Sequence, residues 1–426
     1  MSFFGMPIVS AVFAFFLVVF VHELGHYWVG RLCGIGAKTF SIGLGPKIFS
    51  FLDKRNTEWQ LCLLPIGGYV KFLEKADKND NLYFLSGSDF KSANLKRRFL
   101  TVLAGPLANF LLSIIIFALI SFHSGVISND PILGDVAELP GNKDTLLAGD
   151  KILSINGQRI NSYSEILSFA ANLNQNDYVE FVIERSERKM LLNAPYIFQP
   201  IVQYVEMFSP ASKAGLQVGD VFIMADNERV FAFEDIKRII LNSAGNEINL
   251  SVWRSGEILS TKIQPELRPT ETSDGDIIEV MRIGVRGGSI ISPMKITPSI
   301  REALSIGLNA TFYIIKTSII GLIRIIDATI SPRHLSGPVG VAKALSETAK
   351  EGLLPFFSLV GAISAGLGIV NLFPIPVLDG GHILFYLYEG IMKKPPSDSI
   401  MRYLMSFGVV FLVSVMIFAT FNDILR

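Results

Sequence analysis

Apolar and polar positions along this chain are patterned on two scales. Three apolar stretches are long enough to cross a bilayer, which takes about 20 residues of helix. They run from Phe3 to Val29, from Phe99 to Phe122 just after Lys96-Arg97-Arg98, and from Tyr403 to Phe421. A fourth stretch, Phe356 to Met392, is interrupted by Asn371, Pro374, Pro376 and Asp379. A carboxylate and two prolines at membrane depth mark a functional segment. Ser305 to Ile326 is apolar for most of its length but holds Lys316 and Arg324. That mixture predicts a helix lying on the outer membrane surface; a lone span there would invert every segment after it.

Between these stretches the pattern shortens. Residues 124–300 are richer in turn residues and contain a repeat. Residues 148–159 (AGDKILSINGQR) align with 218–229 (VGDVFIMADNER), and 179–185 (VEFVIER) align with 248–254 (INLSVWR). Each copy predicts a Gly-Asp turn, a strand, an Asn-Gly or Asp-Asn hairpin, a helix and an alternating strand. Ser209-Pro210-Ala211-Ser212-Lys213-Ala214-Gly215-Leu216 precedes the second turn. The pattern resembles two tandem PDZ domains, which bind extended peptides by adding a strand to a sheet edge. A pair of folded spacers that bind nothing remains the alternative.

Composition agrees with a membrane protein carrying soluble parts. Half of the 426 residues are apolar and 18% are charged, against about 25% in an average soluble domain. Disordered chains, charged tails and ordinary cytosolic enzymes are excluded. Lys+Arg and Asp+Glu balance at 38 each, so charge gives no pointer to nucleic acid. Cys33 and Cys62 are too few for a disulfide framework. The first apolar run has no basic segment ahead of it and no small-residue cleavage site after it, so it reads as an uncleaved span. Twelve Lys and Arg residues between Arg31 and Arg98 place that loop in the cytoplasm by the positive-inside rule. Both termini and residues 124–300 are then outside.

The first span contains His22-Glu23-Leu24-Gly25-His26, a match to H-E-x-x-H. On a helix, residues four apart share a face, so both imidazoles reach one Zn²⁺ and Glu23 can take a proton from its water. A catalytic zinc needs a third protein ligand and an open position. Asp379, in Asn371-Leu372-Phe373-Pro374-Ile375-Pro376-Val377-Leu378-Asp379-Gly380, is the candidate. At about 1.5 Å per helical residue, His22 lies roughly 28 Å along its span and Asp379 roughly 30 Å beyond Leu359. The two reach a similar depth near the cytoplasmic side. His382 follows on the same helical face as Asp379 and reads as packing, an outer partner or an alternative ligand. His123 and His334 read as surface residues. Ala104-Gly105-Pro106-Leu107-Ala108-Asn109 opens the second span with small residues suited to close helix packing, and Asn109 could also touch substrate.

These two motifs and the PDZ insert between spans resemble the site-2 protease family of intramembrane zinc metalloproteases, over nearly the whole chain. The resemblance implies a four-transmembrane-helix core with a cytoplasmic membrane-reentrant β-hairpin and two extracytoplasmic α+β PDZ domains. The segments would be 1–123 with the β-loop region 31–98, PDZ domains at 124–198 and 199–270, a linker with membrane-surface helices at 271–355, and the last two spans in 356–426. His22, His26 and Asp379 would hold one Zn²⁺ per chain, with Glu23 as general acid and base. Asn371 would hold the substrate backbone or the developing oxyanion. Pro376 and Gly43-Leu44-Gly45 would contact substrate; many relatives have Phe where Leu44 stands. A strand pair, Trp59 to Leu64 and Tyr69 to Phe72, would flank a turn at 65–68. The implied substrates are pre-trimmed type II single-pass membrane proteins, such as an anti-sigma factor, and remnant signal peptides. The implied setting is the bacterial inner membrane, with lipid around the spans and peptides or ectodomain tails at the PDZ domains. A catalytically inactive PDZ scaffold is the main competing reading. A transporter built on the broken helix at 371–379 predicts an inverted repeat of spans, and none is visible.

Overall fold

The computed structural model describes residues 7–74, 88–140, 146–173, 178–272, 274 and 276–425. Phe3, where the first span was expected to start, and Lys75 and Lys78 of the basic loop lie outside the described residues. The chain divides into two compact units, Met1–Phe122 with Ser299–Arg426, and His123–Pro298.

The first unit is built from helices α1 (Pro7–Leu32), α2 (Leu95–Ser124), α6 (Ile300–Ile326), α7 (Pro338–Glu351), α8 (Leu353–Asn371), α9 (Asp379–Met392) and α10 (Asp398–Leu425). Five of them, α1, α2, α6, α8 and α10, are long and apolar enough to cross a membrane. The sequence had suggested four spans, with α6 on the surface. Small residues let these helices meet, because lipid supplies no hydrophobic drive for apolar faces to associate. Gly25 of α1 lies so close to α2 that a Cβ there would come within 2.5 Å of the Ala104 carbonyl oxygen. Gly361 and Gly368 of α8 face Phe117 and Phe110 of α2, and Ser364 between them donates to the Asn109 carbonyl at 2.8 Å. Gly307 of α6 rests on the Ile114 carbonyl, and the Thr311 and Ser113 hydroxyls meet at 3.0 Å. Ala11, Ala14 and Val18 of α1 share a core with Ile116, Leu345, Phe356 and Val360. At the far end of α10, the buried Asp423 carboxylate accepts the Gly337 and Gly340 amides at 3.0 and 2.7 Å, capping α7.

Two long strands, β1 (Ala37–Leu52) and β2 (Glu58–Phe72), follow α1. They pair twice over. Phe40 lies opposite both Val70 and Trp59, and Trp59 lies opposite both Phe40 and Phe51. Each strand must therefore bend. β1 bends at Gly43 and Gly45 (φ +83° and +90°) and β2 at Gly67 (φ +77°), where an L side chain would be strained. The directions of pairing show what the bends do. Phe40, Ser41 and Ile42 run parallel to Trp59, Gln60 and Leu61 but antiparallel to Val70, Tyr69 and Gly68. β2 therefore reverses between Leu61 and Gly68, and the arms on either side of 65–68 flank that reversal. Phe49, Ser50 and Phe51 run antiparallel to the same Leu61, Gln60 and Trp59, so β1 also reverses, between Ile42 and Phe49 beside Gly43 and Gly45. A further reversal at 53–57 joins β1 to β2.

The second unit holds the two repeats. Copy one has strands β5 (Lys151–Ile155), β6 (Gln158–Arg159), β7 (Tyr178–Arg185) and β8 (Arg188–Pro195) in the order β6-β5-β7-β8, with helix α3 (Tyr163–Ala170). Copy two has β10 (Val221–Ala225), β11 (Glu228–Arg229), β12 (Ile248–Arg254) and β13 (Glu257–Ile263) in the order β11-β10-β12-β13, with helix α5 (Phe233–Asn242) after the short α4 (Pro210–Lys213). The aligned Gly-Asp turns explain themselves here. Asp150 is fully buried and forks to Arg185 at 2.7 and 2.8 Å, and Asp220 does the same to Arg254 at 2.6 and 2.7 Å. Each turn thus stitches the first strand of its sheet to the third.

The copies are nested rather than consecutive. Strand β16 (Val285–Gly287) pairs with β9 (Val202–Val205) of copy two, and β17 (Ile291–Pro293) returns to β4 (Leu133–Val136) of copy one. Ile290 and Ile291 are buried in the core of copy one, and Ile283 and Val285 in that of copy two. A hairpin of β14 (Glu266–Glu271) and β15 (Ile277–Arg282) comes between, and β18 (Lys295–Ile296) pairs with β3 (Val126–Ile127). The expected boundaries at 198, 270 and 271–355 are therefore corrected. The segment 283–291 belongs to the repeats rather than to a linker, since β16 and β17 pair with them and Ile283, Val285, Ile290 and Ile291 lie in their cores.

Candidate active site

The site is assembled where α1, α2, β2 and the break between α8 and α9 meet. The H-E-x-x-H segment lies in an unbroken stretch of α1. Helical spacing puts His22 and His26 on one face, their ring centroids 4.8 Å apart. After Asn371 ends α8, the chain runs through Pro374 and Pro376 without helix, and α9 begins at Asp379. Prolines supply no N–H and stop the helix there. Gly380 and Gly381 let the restarting helix press on the Leu372 and Ile375 carbonyls, with 2.3 Å for a Cβ at either. That fold-back carries Asp379 to the histidines.

His22 Nε2 and His26 Nε2 lie 3.2 and 3.4 Å from Asp379 Oδ2, and 3.2 Å from each other. Ligand atoms bound at about 2.0–2.1 Å around a tetrahedral zinc are roughly 3.3 Å apart. His22, His26 and Asp379 would fit such an ion as its protein ligands. Proton placement agrees. His26 Nδ1 donates to the Thr101 carbonyl at 2.9 Å, leaving the Nε2 lone pair facing the cluster. Among the described residues no hydrogen-bond donor serves the buried Asp379 Oδ2, a costly arrangement that a cation would relieve.

Glu23 is buried beside the cluster, and the Val70 backbone amide of β2 faces its carboxylate. Asn371 brings Nδ2 to 3.5 Å from His22 Nε2. A cavity of about 520 Å³ opens onto the cluster. Its walls include Glu23, Asn371 and Asp379 from the motifs, Gly67 to Val70 from β2, and His382 and Tyr386 from α9. His382 thus lines the cavity, but among the described residues only His22, His26 and Asp379 bring ligand atoms together. Gly43, Leu44, Gly45 and Pro376 are not among its walls. Gly43 packs instead on the Leu64 and Cys62 carbonyls, and Pro376 packs against Gly381 and Gly408.

Sequence reasoning missed the part played by α2. The Thr101 carbonyl, the bare Gly105 and Asn109 stand four residues apart and face the two histidines. That spacing was the available signal, hidden inside a run of small residues that packing alone accounts for.

Comparison with known proteins settles the family. The model of peptidase family M50 matches residues 10–415. The chain belongs to peptidase family M50. This is the site-2 protease family, so the chain is a metalloprotease and a multi-pass membrane protein. Family members align along its full length. The regulator of sigma-E protease RseP of Escherichia coli K12 is 28% identical, with 98% of each chain covered. The regulator of sigma E protease of Haemophilus influenzae is 30% identical at the same coverage. A Mesorhizobium japonicum protein named as a candidate zinc metalloprotease is also 30% identical, again with 98% of each chain covered. A PDZ domain of an SdrC-like protein from Listeria monocytogenes overlaps 21% of this chain and 87% of its own, at 15% identity and a TM-score of 0.18. That likeness is too slight to bear on the repeats.

Proposed function

We propose that this M50 peptidase is an intramembrane zinc endopeptidase that cuts the membrane segment of single-pass proteins. The observation that supports it most is the meeting of His22, His26 and Asp379 at zinc-ligand separations, beside Glu23 and a cavity. When bound, zinc supplies Lewis acidity and an acidified water with a pKa of about 7. Glu23 takes that water's proton on its carboxylate and later delivers it to the leaving amine. Asn371 donates its Nδ2–H to the scissile carbonyl oxygen as charge develops there.

A peptide bond inside a helix is shielded, so the substrate must be extended at the point of attack. Residues 67–70 of β2 line the cavity next to Glu23. Among the described residues β2 pairs with no strand but β1. An extended substrate can add to this edge and lie across Glu23. The substrate class follows from the resemblance: type II single-pass proteins trimmed outside, such as an anti-sigma factor, and leftover signal peptides. The repeats act as PDZ modules on the outer side of a bacterial inner membrane, and the cavity lies toward the cytoplasmic side.

The test is cleavage of a tagged single-pass helix with a short outer tail, by the parent chain and by Glu23→Gln at equal expression. The parent should cleave and the variant should not, while both retain one zinc. Equal cleavage by the two would remove Glu23 from the mechanism.

A further inference from the structure

Asn109 is completely buried on α2, and its Nδ2 lies 3.3 Å from His22 Nδ1. Its Oδ1 is buried and, among the described residues, meets no donor. Both facts bear on how His22 can serve a metal. For Nε2 to offer a lone pair to the cluster, Nδ1 must carry the ring proton. An amide nitrogen facing that N–H would set donor against donor. The two ends of an amide have the same shape, and the hydrogen-bond network decides which one faces the ring. With Oδ1 toward His22, the orphaned oxygen gains the imidazole N–H.

We propose that Asn109 is a positioning residue for the metal centre: its side-chain oxygen accepts the His22 Nδ1–H and fixes the tautomer and plane of that ring. The inference rests on the reading of His22, His26 and Asp379 as zinc ligands. It makes the two histidines equivalent, since the Thr101 carbonyl does the same for His26 at 2.9 Å. Gly105 stands midway, and a Cβ there would come within 2.3 Å of His26 Nε2 and 2.9 Å of His22 Cε1. One face of α2 therefore supplies an acceptor for each ring and clearance between them. Asn109 is itself held, because Ser364 of α8 donates to its backbone carbonyl at 2.8 Å. The same helix α8 ends in Asn371, so α2 and α8 are registered on each other beside the site.

The experiment compares Asn109→Leu, of similar size without an acceptor, and Asn109→Asp, which keeps one. Full-length chains in detergent are titrated with zinc against a competing chelator, and the cobalt-loaded forms are compared by visible absorption. The leucine variant should lose 10–100-fold in zinc affinity, the usual cost of removing an outer partner of a ligand histidine. Its metal-free thermal unfolding should match the parent, and its cobalt bands should shift. The aspartate variant should bind within a few-fold of the parent. If the leucine variant does not fold, Asn109→Ala set against Asn109→Asp reads the same difference. Leucine and parent binding zinc equally well would overturn the role of Asn109. So would equal losses for leucine and aspartate, which would mean shape matters and the acceptor does not. A parent chain that binds no zinc would overturn the metal reading, and this proposal with it.

Discussion

Arg98 at the start of α2 grips Glu389 of α9 through two hydrogen bonds, at 2.6 and 3.1 Å. Its guanidinium also lies 5.2 Å from the centre of the Tyr386 ring. Both side chains are mostly buried, at 15% and 20% exposure. The pair fastens the later half of the helix whose first residue is Asp379 to the helix that backs both histidines. Removing Arg98 strands a carboxylate in a poorly solvated place. Arg98→Ala should cost roughly 2–4 kcal/mol, at or below the range for breaking a buried pair. It should also loosen Asp379 and weaken zinc binding. Arg98→Lys keeps the charge but loses the fork and should recover only part. Thermal unfolding and zinc retention in detergent measure both effects. The Arg98→Ala/Glu389→Ala double variant should be more stable than Arg98→Ala alone. If it is not, the stranded charge is the wrong explanation.

Gly105 presents a test in which two effects have opposite signs. Ala is favoured over Gly in a helix interior by about 1 kcal/mol, so Gly105→Ala should stabilise α2 taken alone. A Cβ at that position, however, would stand 2.3 Å from His26 Nε2 and 2.5 Å from Cε1. The imidazole cannot withdraw without giving up its 2.9 Å bond to Thr101. The clash should win. Gly105→Ala is expected to fold, to lose most of its zinc, and to cleave at least tenfold more slowly. Metal analysis of the purified variant decides it. Zinc content equal to the parent would mean that His26 has room the structure does not show.

What could be read from the sequence divides along physical lines. H-E-x-x-H and Asp379 were legible because ionisable groups in an apolar span are costly and so stand out from their surroundings. The long helices were legible because 20 apolar residues are a strong signal. Thr101 was not, because it acts through a backbone carbonyl that carries no side-chain signature. The nesting of the repeats was not, because β16 and β17 are three residues each, too short for alternation to register. Their partners β9 and β4 lie far upstream in the chain. The reversal at Pro65-Ile66-Gly67-Gly68 was legible, because two glycines after a proline free the backbone to turn. The order of the arms was not, because only the pairing shows that β1 residues 39–42 lie between 58–61 and 68–71.

Asp53 closes the reversal between β1 and β2. One carboxylate oxygen accepts the Arg55 and Thr57 amides at 2.8 and 2.9 Å, and the other accepts the Tyr27 hydroxyl and the Trp59 indole at 3.0 and 3.1 Å. Partial burial pushes its pKa up, but the bonds from Thr57, Trp59, Arg55 and Tyr27 outweigh it and hold the carboxyl below its ordinary range. The sign follows. A depressed folded-state pKa stabilises the clasp fully above the unfolded value of about 3.9, and that stabilisation is lost as pH falls through the folded value. Between neutral pH and about pH 5 the hairpin should be unaffected. Below the ordinary carboxylate value of about 3.9, as pH falls through the depressed folded value, Trp59 should leave its carboxylate partner, with a change in indole fluorescence. Asp53→Asn cannot titrate and should lack this acid transition. An identical transition in the variant would assign it to another group.

Tyr163, the first residue of α3, donates its hydroxyl to the Ile291 carbonyl at 2.8 Å. It thereby ties copy one to the strand that arrives only after copy two is complete. Copy two has the counterpart in hydrocarbon alone, where the Phe233 ring covers Gly287. Tyr163→Phe converts the first arrangement into the second. It should cost about 1 kcal/mol, the net worth of one buried hydrogen bond, with a further penalty for the stranded carbonyl. A pH effect goes with it. Burial pushes the Tyr163 phenol up to about 12. Its contribution is therefore complete below the unfolded value of about 10 and is lost as pH rises through the folded one. The parent chain should lose stability across that alkaline window, and Tyr163→Phe should start lower and lose less. Thermal unfolding of the full-length chain at neutral pH and at about pH 11, for both proteins, measures the two slopes. Parallel slopes would mean that Tyr163 ionises as freely in the folded chain as in the unfolded one, and that its hydroxyl does not hold β17.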